Sequence, residues 1–119
     1  MKNYYQQKKG GWKLDPVIYA KTVAQIRCYR IYRGQAEVGL GSDAWKYVRI
    51  IDQALVDYVP EAYRTAVFSH VVDRATYNDL EEQHFISTST MKRYTQVFIW
   101  GVAKGLGEVM PEGQQNAES

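Results

Sequence analysis

Apolar residues recur every three or four positions through most of the chain, and no segment alternates cleanly with period two. This spacing is typical of amphipathic helices and not of strands. It predicts a long first helix ending near residue 32, a second helix beginning near residue 43, a third over 60–72, a short helix over 77–83 and a long last helix over 88–104. The sequence therefore predicts an all-α protein, a compact bundle of about five helices.

The first predicted helix has a clear start signal. Asp15 can accept a hydrogen bond at the N-cap, and the fixed φ of Pro16 suits the first helical position. Apolar or small residues then fall on one face, which we expect to be buried: Val17, Ala20, Ala24, Cys28 and Ile31. Residues 34–41 are expected to form a loop.

The second and third helices are divided by Pro60, because proline is tolerated in the first turn of a helix and not in its interior. Ser42 or Asp43 is expected to cap the second helix. In the second helix the expected core positions are Ala44, Val48, Ile51 and Leu55, with Trp45 beside them. In the third helix they are Tyr63, Val67 and Val71.

The segment 77–104 has the order of a helix-turn-helix: a short helix, a turn over His84, Phe85 and Ile86, a capping serine, and a longer helix. The Ser87 hydroxyl can accept from the amide of residue 89 or 90. Gly105 and Gly107 suit the end of the last helix.

The last helix has two different faces. Met91, Phe98 and Val102 point one way, and polar residues point the other. The polar face fits a DNA duplex, because its side chains can bind base edges or phosphates, and the amides at its start can bind a phosphate. The candidate DNA-binding residues are Ser87, Thr88, Ser89, Lys92, Arg93 and Gln96. A solvated helix face is the alternative, but no acidic residue occurs between Ser87 and Lys104.

Trp100 lies on the polar side of the last helix, and the second half of that helix is apolar most of the way round. Such a segment must be enclosed. Either the first helices of the same chain cover it, or a second subunit does, in a homodimer formed through the Trp100 region.

Length and charge add two points. The chain has 119 residues, of which 45% are hydrophobic, and this suits a single domain over residues 15–109. The net charge is only +2, but residues 1–33 contain eight basic residues and a single acidic residue, Asp15. Residues 1–14 are expected to form a flexible basic arm in which Lys8, Lys9 and Lys13 contact the DNA backbone, or else a solvated tail. Residues 110–119 are expected to be disordered.

The composition argues against several function classes. Cys28 is alone, and His70 and His84 belong to no metal-binding or catalytic spacing, so we expect no metal, no cofactor and no enzymatic activity. We expect His70 to be a core residue with one hydrogen bond and His84 to be a turn residue. No segment resembles a signal peptide or a membrane span, which predicts a cytoplasmic protein.

Several motifs together resemble a known family. Leu80, Ile86, Ser87, Thr90 and Met91 have the spacing of sigma-factor region-four-like helix-turn-helix domains, and the segment 60–64 (PEAYR) is similar to one that often precedes them. Over residues 45–109 the chain resembles small phage-encoded transcriptional regulators of the RinA and ArpU type. The resemblance rests on Ile51-Asp52-x-Ala54-Leu55, on the segment 60–64, and on Ser87-x-x-Thr90-x-x-Arg93-Tyr94 followed by Phe98, Val102-Ala103-Lys104 and Leu106-Gly107. It implies a phage or prophage protein that binds double-stranded promoter DNA to activate late genes.

Three residues depart from that family: Glu81 replaces a small residue, His84 a leucine and Phe85 a glycine. A bulky side chain is costly in the left-handed conformation of a tight helix-turn-helix, so we expect the turn to be reshaped. Glu81 and Glu82 also place negative charge beside the proposed interface. A second hypothesis is therefore a non-enzymatic helical adaptor with a degenerate helix-turn-helix, which contacts RNA polymerase or a phage packaging component.

Overall fold

A computed structural model describes residues 12–40 and 43–109. This part of the chain contains helices and no strands, so the all-α prediction is confirmed. There are six helices: α1 (Pro16–Arg27), α2 (Tyr29–Glu37), α3 (Ala44–Tyr58), α4 (Glu61–Asp73), α5 (Tyr77–His84) and α6 (Thr88–Gly105). None of them is both long enough and apolar enough to cross a membrane.

Helix α6 forms the centre of the bundle, where it packs against α1, α3, α4 and α5. Its residues 97–103 are all buried, and Phe98 and Val102 are completely inaccessible to solvent. The prediction that the second half of this helix is enclosed is confirmed.

Trp100 is covered by its own chain. The Trp12 ring packs edge-on against it, with centroids 5.0 Å apart, and the Tyr58 ring does the same at 5.9 Å. The side chain is 6% exposed. Enclosure is thus intramolecular, and the argument for a homodimer through the Trp100 region no longer applies.

The first predicted helix is two helices in the structure, which is why the bundle has six. The chain turns at Cys28, whose amide bonds back to the Gln25 carbonyl at 3.1 Å, and then continues as α2. Helix α2 ends at Glu37, so the prediction of a loop over residues 34–41 was wrong for its first half. Gly41, the last residue of that predicted loop, lies outside the described residues.

The face of the first predicted helix that we expected in the core is largely exposed. Val17 is 74% exposed and Ile31 60% exposed, whereas Thr22 and Ile26 are fully buried. Thr22 tolerates burial because its hydroxyl donates to the Ile18 carbonyl at 2.7 Å. The apolar spacing misidentified the face because it treated threonine as polar and assumed one helix through Cys28.

The predicted core positions of α3 and α4 are correct, and all are buried or partly buried. Asp15 accepts from the Val17 amide at 2.9 Å, so the start of α1 is also as predicted. Asp43 occupies the N-cap of α3, but its side chain makes no capping hydrogen bond. Ser42, the other predicted cap, lies outside the described residues.

The end of the predicted flexible arm is packed against the bundle. Trp12 contacts Tyr58 and Trp100, and Leu14 packs against the core. Lys13 between them is exposed. Lys8 and Lys9, like the predicted disordered tail over residues 110–119, lie outside the described residues.

Candidate nucleic-acid interface

Helices α5 and α6 are joined by a three-residue turn and are held together by buried side chains. Leu80 of α5, Ile86 of the turn and Met91 of α6 are all at most 6% exposed. The Ser87 hydroxyl accepts from the Thr90 amide at 3.3 Å and caps α6, as the sequence predicted. The structure thus has the predicted order of a short helix, a turn, a capping serine and a longer helix.

Phe85 adopts the left-handed conformation, with φ 57° and ψ 40°, and its amide bonds to the Glu81 carbonyl at 2.9 Å. We expected a bulky residue here to reshape the turn, and that expectation was wrong. The turn keeps the tight geometry, although the left-handed conformation costs a residue other than glycine about 1–2 kcal/mol. The Phe85 ring is 90% exposed, so packing within the described residues does not compensate.

The polar face of α6 is uncovered over its first half. Ser89, Lys92, Arg93 and Gln96 are all exposed and lie within about 100° of one another around the helix axis. The Arg93 guanidinium lies 5.0 Å from the centroid of the Tyr94 ring. Residues 97–103 of the helix are buried, so a ligand on this polar face can reach only the first turns of α6.

The ring of Tyr77 in α5 lies beside the ammonium group of Lys92. The sequence had not indicated a role for Tyr77. Lys92 Nζ lies 5.7 Å from the centroid of the Tyr77 ring, which stacks in turn on His70 at 4.2 Å. Burial, and the nearby Tyr19 phenol, raise the pKa of Tyr77. His70 Nδ1 lies 2.7 Å from the Ala75 carbonyl oxygen, so His70 has the single hydrogen bond we predicted, but it is half-buried and not a core residue. Only the folded chain brings these residues together.

Ser87 and Thr88 make hydrogen bonds within the α5–α6 segment. Ser87 Oγ is 3.0 Å from Thr90 Oγ1 in addition to its capping bond. The Thr88 hydroxyl donates to Glu81 Oε1 at 3.2 Å, and the side chain is half-buried. Five of the six candidate residues are exposed, namely Ser87, Ser89, Lys92, Arg93 and Gln96.

The two helices of this motif carry opposite charges. Helix α6 has three basic residues and no acidic residue. Helix α5 has three exposed acidic residues, Asp79, Glu81 and Glu82. A polyanion would be attracted by α6 and repelled by α5, so its position relative to the two helices decides whether it binds.

Comparison of the chain with protein-family models, with curated proteins and with solved structures found no match. The likeness to phage regulators accordingly depends only on the motifs quoted above. Within the part of the chain that the structure describes, no group of three or more histidine, cysteine or acidic side chains is arranged to hold a metal ion.

Proposed function

We propose that this protein is a phage or prophage transcriptional regulator that binds double-stranded promoter DNA through the first half of α6. One observation carries the proposal: Ser89, Lys92, Arg93 and Gln96 project from one uncovered face of a helix whose opposite face is anchored in the core. In a helix-turn-helix, this is the face that enters the major groove.

Each of these side chains suits a different part of the duplex. Arg93 can neutralise a phosphate or make a bidentate bond to guanine, and Gln96 can make a bidentate bond to adenine. Lys92 can neutralise a phosphate, and Ser89 can donate to a phosphate or a base edge. Lys13 is exposed at the packed end of the arm and can add a backbone contact, as can Lys8 and Lys9. Binding requires no cofactor, and the proposed site of action is the cytoplasm of a bacterial host.

Two observations favour a second candidate, a protein-binding adaptor. The acidic face of α5 repels DNA, and the exposed Phe85 ring beside it is typical of a protein contact. In this alternative the α5–α6 turn contacts RNA polymerase or a phage packaging component, and the basic residues of α6 are solvated.

Selection from a pool of random-sequence duplexes distinguishes the two candidates. The regulator enriches a specific sequence, and Gln96→Ala relaxes the preference at one position of it, at a cost of about 1–3 kcal/mol for the preferred base. Arg33→Gln, an exposed arginine of α2 outside the motif, leaves the preference intact. If no sequence is enriched while purified RNA polymerase binds the wild type and not Phe85→Ala, the adaptor replaces the regulator.

A further inference from the structure

A cavity of about 650 Å³ lies between α1, α4 and α6, on a different side of α6 from Arg93. This volume is within the range of small-molecule sites. We propose that the cavity binds a small amphipathic anion, an apolar body that carries one oxyanion group such as a carboxylate or a phosphate. The proposal does not depend on the protein's binding DNA.

Thr95 places a buried hydroxyl at the cavity wall. It lines the cavity and is 5% exposed, and its Oγ1 has no hydrogen-bond partner among the described residues. A threonine inside a helix commonly bonds to the carbonyl one turn back, as Thr22 does with Ile18. A buried hydroxyl left without a partner is costly. A bound oxyanion would accept the hydrogen bond that Thr95 does not make in the protein.

Two arginines supply the charge. Arg27 Nε donates to the Val71 carbonyl at 3.3 Å, which fixes the side chain against α4 and leaves its terminal nitrogens without a hydrogen bond to the described residues. Arg74, which follows α4, makes no side-chain hydrogen bond or ion pair within that part of the chain. None of the cavity-lining residues is acidic. Guanidinium groups suit oxyanions because they donate two hydrogen bonds in a plane.

The backbone at Arg74 is also unusual. Its φ is 61°, at the end of a helix where glycine is the common residue. The Ala75 amide closes this turn by bonding to the Ser69 carbonyl at 3.1 Å. The residue at the rim of the cavity is thus an arginine and not a residue suited to the turn.

The apolar part of the ligand would lie on α1. Ala20 and Ala24 line the cavity with Val23, and Ile99 of α6 completes the apolar wall. Ala20 and Ala24 belong to the face that the sequence placed in the core, and their small side chains leave the space open. The cavity therefore has an apolar wall beside two cations, which is the complement of an amphipathic anion.

Fluorescence titration with 8-anilinonaphthalene-1-sulfonate tests the proposal, because this probe joins a sulfonate to an aromatic body. We expect saturable binding of one probe per chain. Arg27→Gln and Arg74→Asn should each weaken it about tenfold, the effect of losing a hydrogen bond to a charged group. Asparagine tolerates the left-handed backbone at position 74, so that variant remains folded. Thr95→Val should also weaken binding, and Arg33→Gln on α2 should not.

N-phenyl-1-naphthylamine, which lacks the sulfonate, separates charge from apolar binding, since its affinity should not change in the arginine variants. Displacement by octanoate or by octyl phosphate, but not by octanol, would support the site and show which head group it prefers. The proposal is overturned if the sulfonate probe shows no saturable binding. It is also overturned if Arg27→Gln and Arg74→Asn bind that probe as tightly as Arg33→Gln does.

Discussion

Glu81 of α5 accepts a hydrogen bond from Thr88, the first residue of α6, at 3.2 Å. A carboxylate near the start of a helix is stabilised by the partial positive charge of the free amides there. The same amides would attract a phosphate of DNA. Glu81 thus competes with the ligand of the proposed function, and its charge should limit the affinity of the protein for a duplex.

Replacing Glu81 with glutamine should raise the affinity for duplex DNA about two- to fivefold, the range of a single charge near a helix terminus. Glutamine keeps an acceptor for Thr88, so the turn is preserved. Fluorescence anisotropy with a labelled duplex measures the effect. Asp57→Asn removes an exposed charge from α3 and is the control. An unchanged or lower affinity for Glu81→Gln would argue against a phosphate at this position.

Phe85→Asn should stabilise the protein by about 1 kcal/mol, because asparagine tolerates the left-handed backbone far better than phenylalanine. The exposed ring contributes no packing that the change would remove. Urea unfolding measures the difference. Phe85→Ala is the control, since alanine keeps the backbone penalty and should gain nothing. A destabilised Phe85→Asn would show that the ring is held by contacts that its exposure does not reveal.

Gly101→Ala should destabilise the protein by about 1–3 kcal/mol, as overpacking of a core does. A β-carbon at position 101 would lie 2.8 Å from Cε2 of the Tyr58 ring, which packs against the Trp12 and Trp100 rings. Gly34→Ala in α2 is the matched control, because a β-carbon there has no neighbour within 4 Å. It should stabilise the protein by about 0.5–1 kcal/mol. If Gly101→Ala behaves like Gly34→Ala, α3 and α6 are not in close contact at Tyr58.

Stability should fall as the pH rises above about 10, the ordinary pKa of tyrosine. Burial raises the pKa of Tyr29, Tyr32 and Tyr77, and Asp52 raises that of Tyr29 further by accepting its hydrogen bond at 2.8 Å. The unfolded chain then releases these protons at a lower pH than the folded chain does, so alkali favours unfolding. Urea midpoints between pH 8 and 11 check this, and Tyr29→Phe should flatten the decline. A stability that is constant over this range would contradict burial of the three phenols.

The sequence predicts most of α6 because its two faces differ in chemistry. Met91, Phe98 and Val102 repeat at helical spacing and are buried, and Lys92 and Gln96 occupy the opposite side and are exposed. Ser87 has the chemistry of a cap, and it caps the helix. These features are local, so they follow from residue type and spacing alone.

Features that the spacing of apolar residues does not encode could not be predicted. Apolar spacing placed Val17 and Ile31 in the core, because it does not reveal that Thr22 can satisfy its own hydroxyl or that the chain turns at Cys28. The left-handed conformation of Phe85 contradicts the intrinsic preference of phenylalanine, so residue type did not predict it. The cavity joins Thr95 and Arg74 from separate segments, and no pattern in either segment indicates the other.

Titration of duplex binding against salt tests the central claim most directly. The logarithm of the affinity falls linearly with the logarithm of the salt concentration, and each neutralised phosphate adds about 0.9 to the steepness of that slope. We expect Lys92 and Arg93 each to neutralise one phosphate. Lys92→Ala and Arg93→Ala should therefore each flatten the slope by about one, and Arg33→Gln should leave it unchanged. A wild-type slope that neither α6 variant alters would show that this face does not contact DNA.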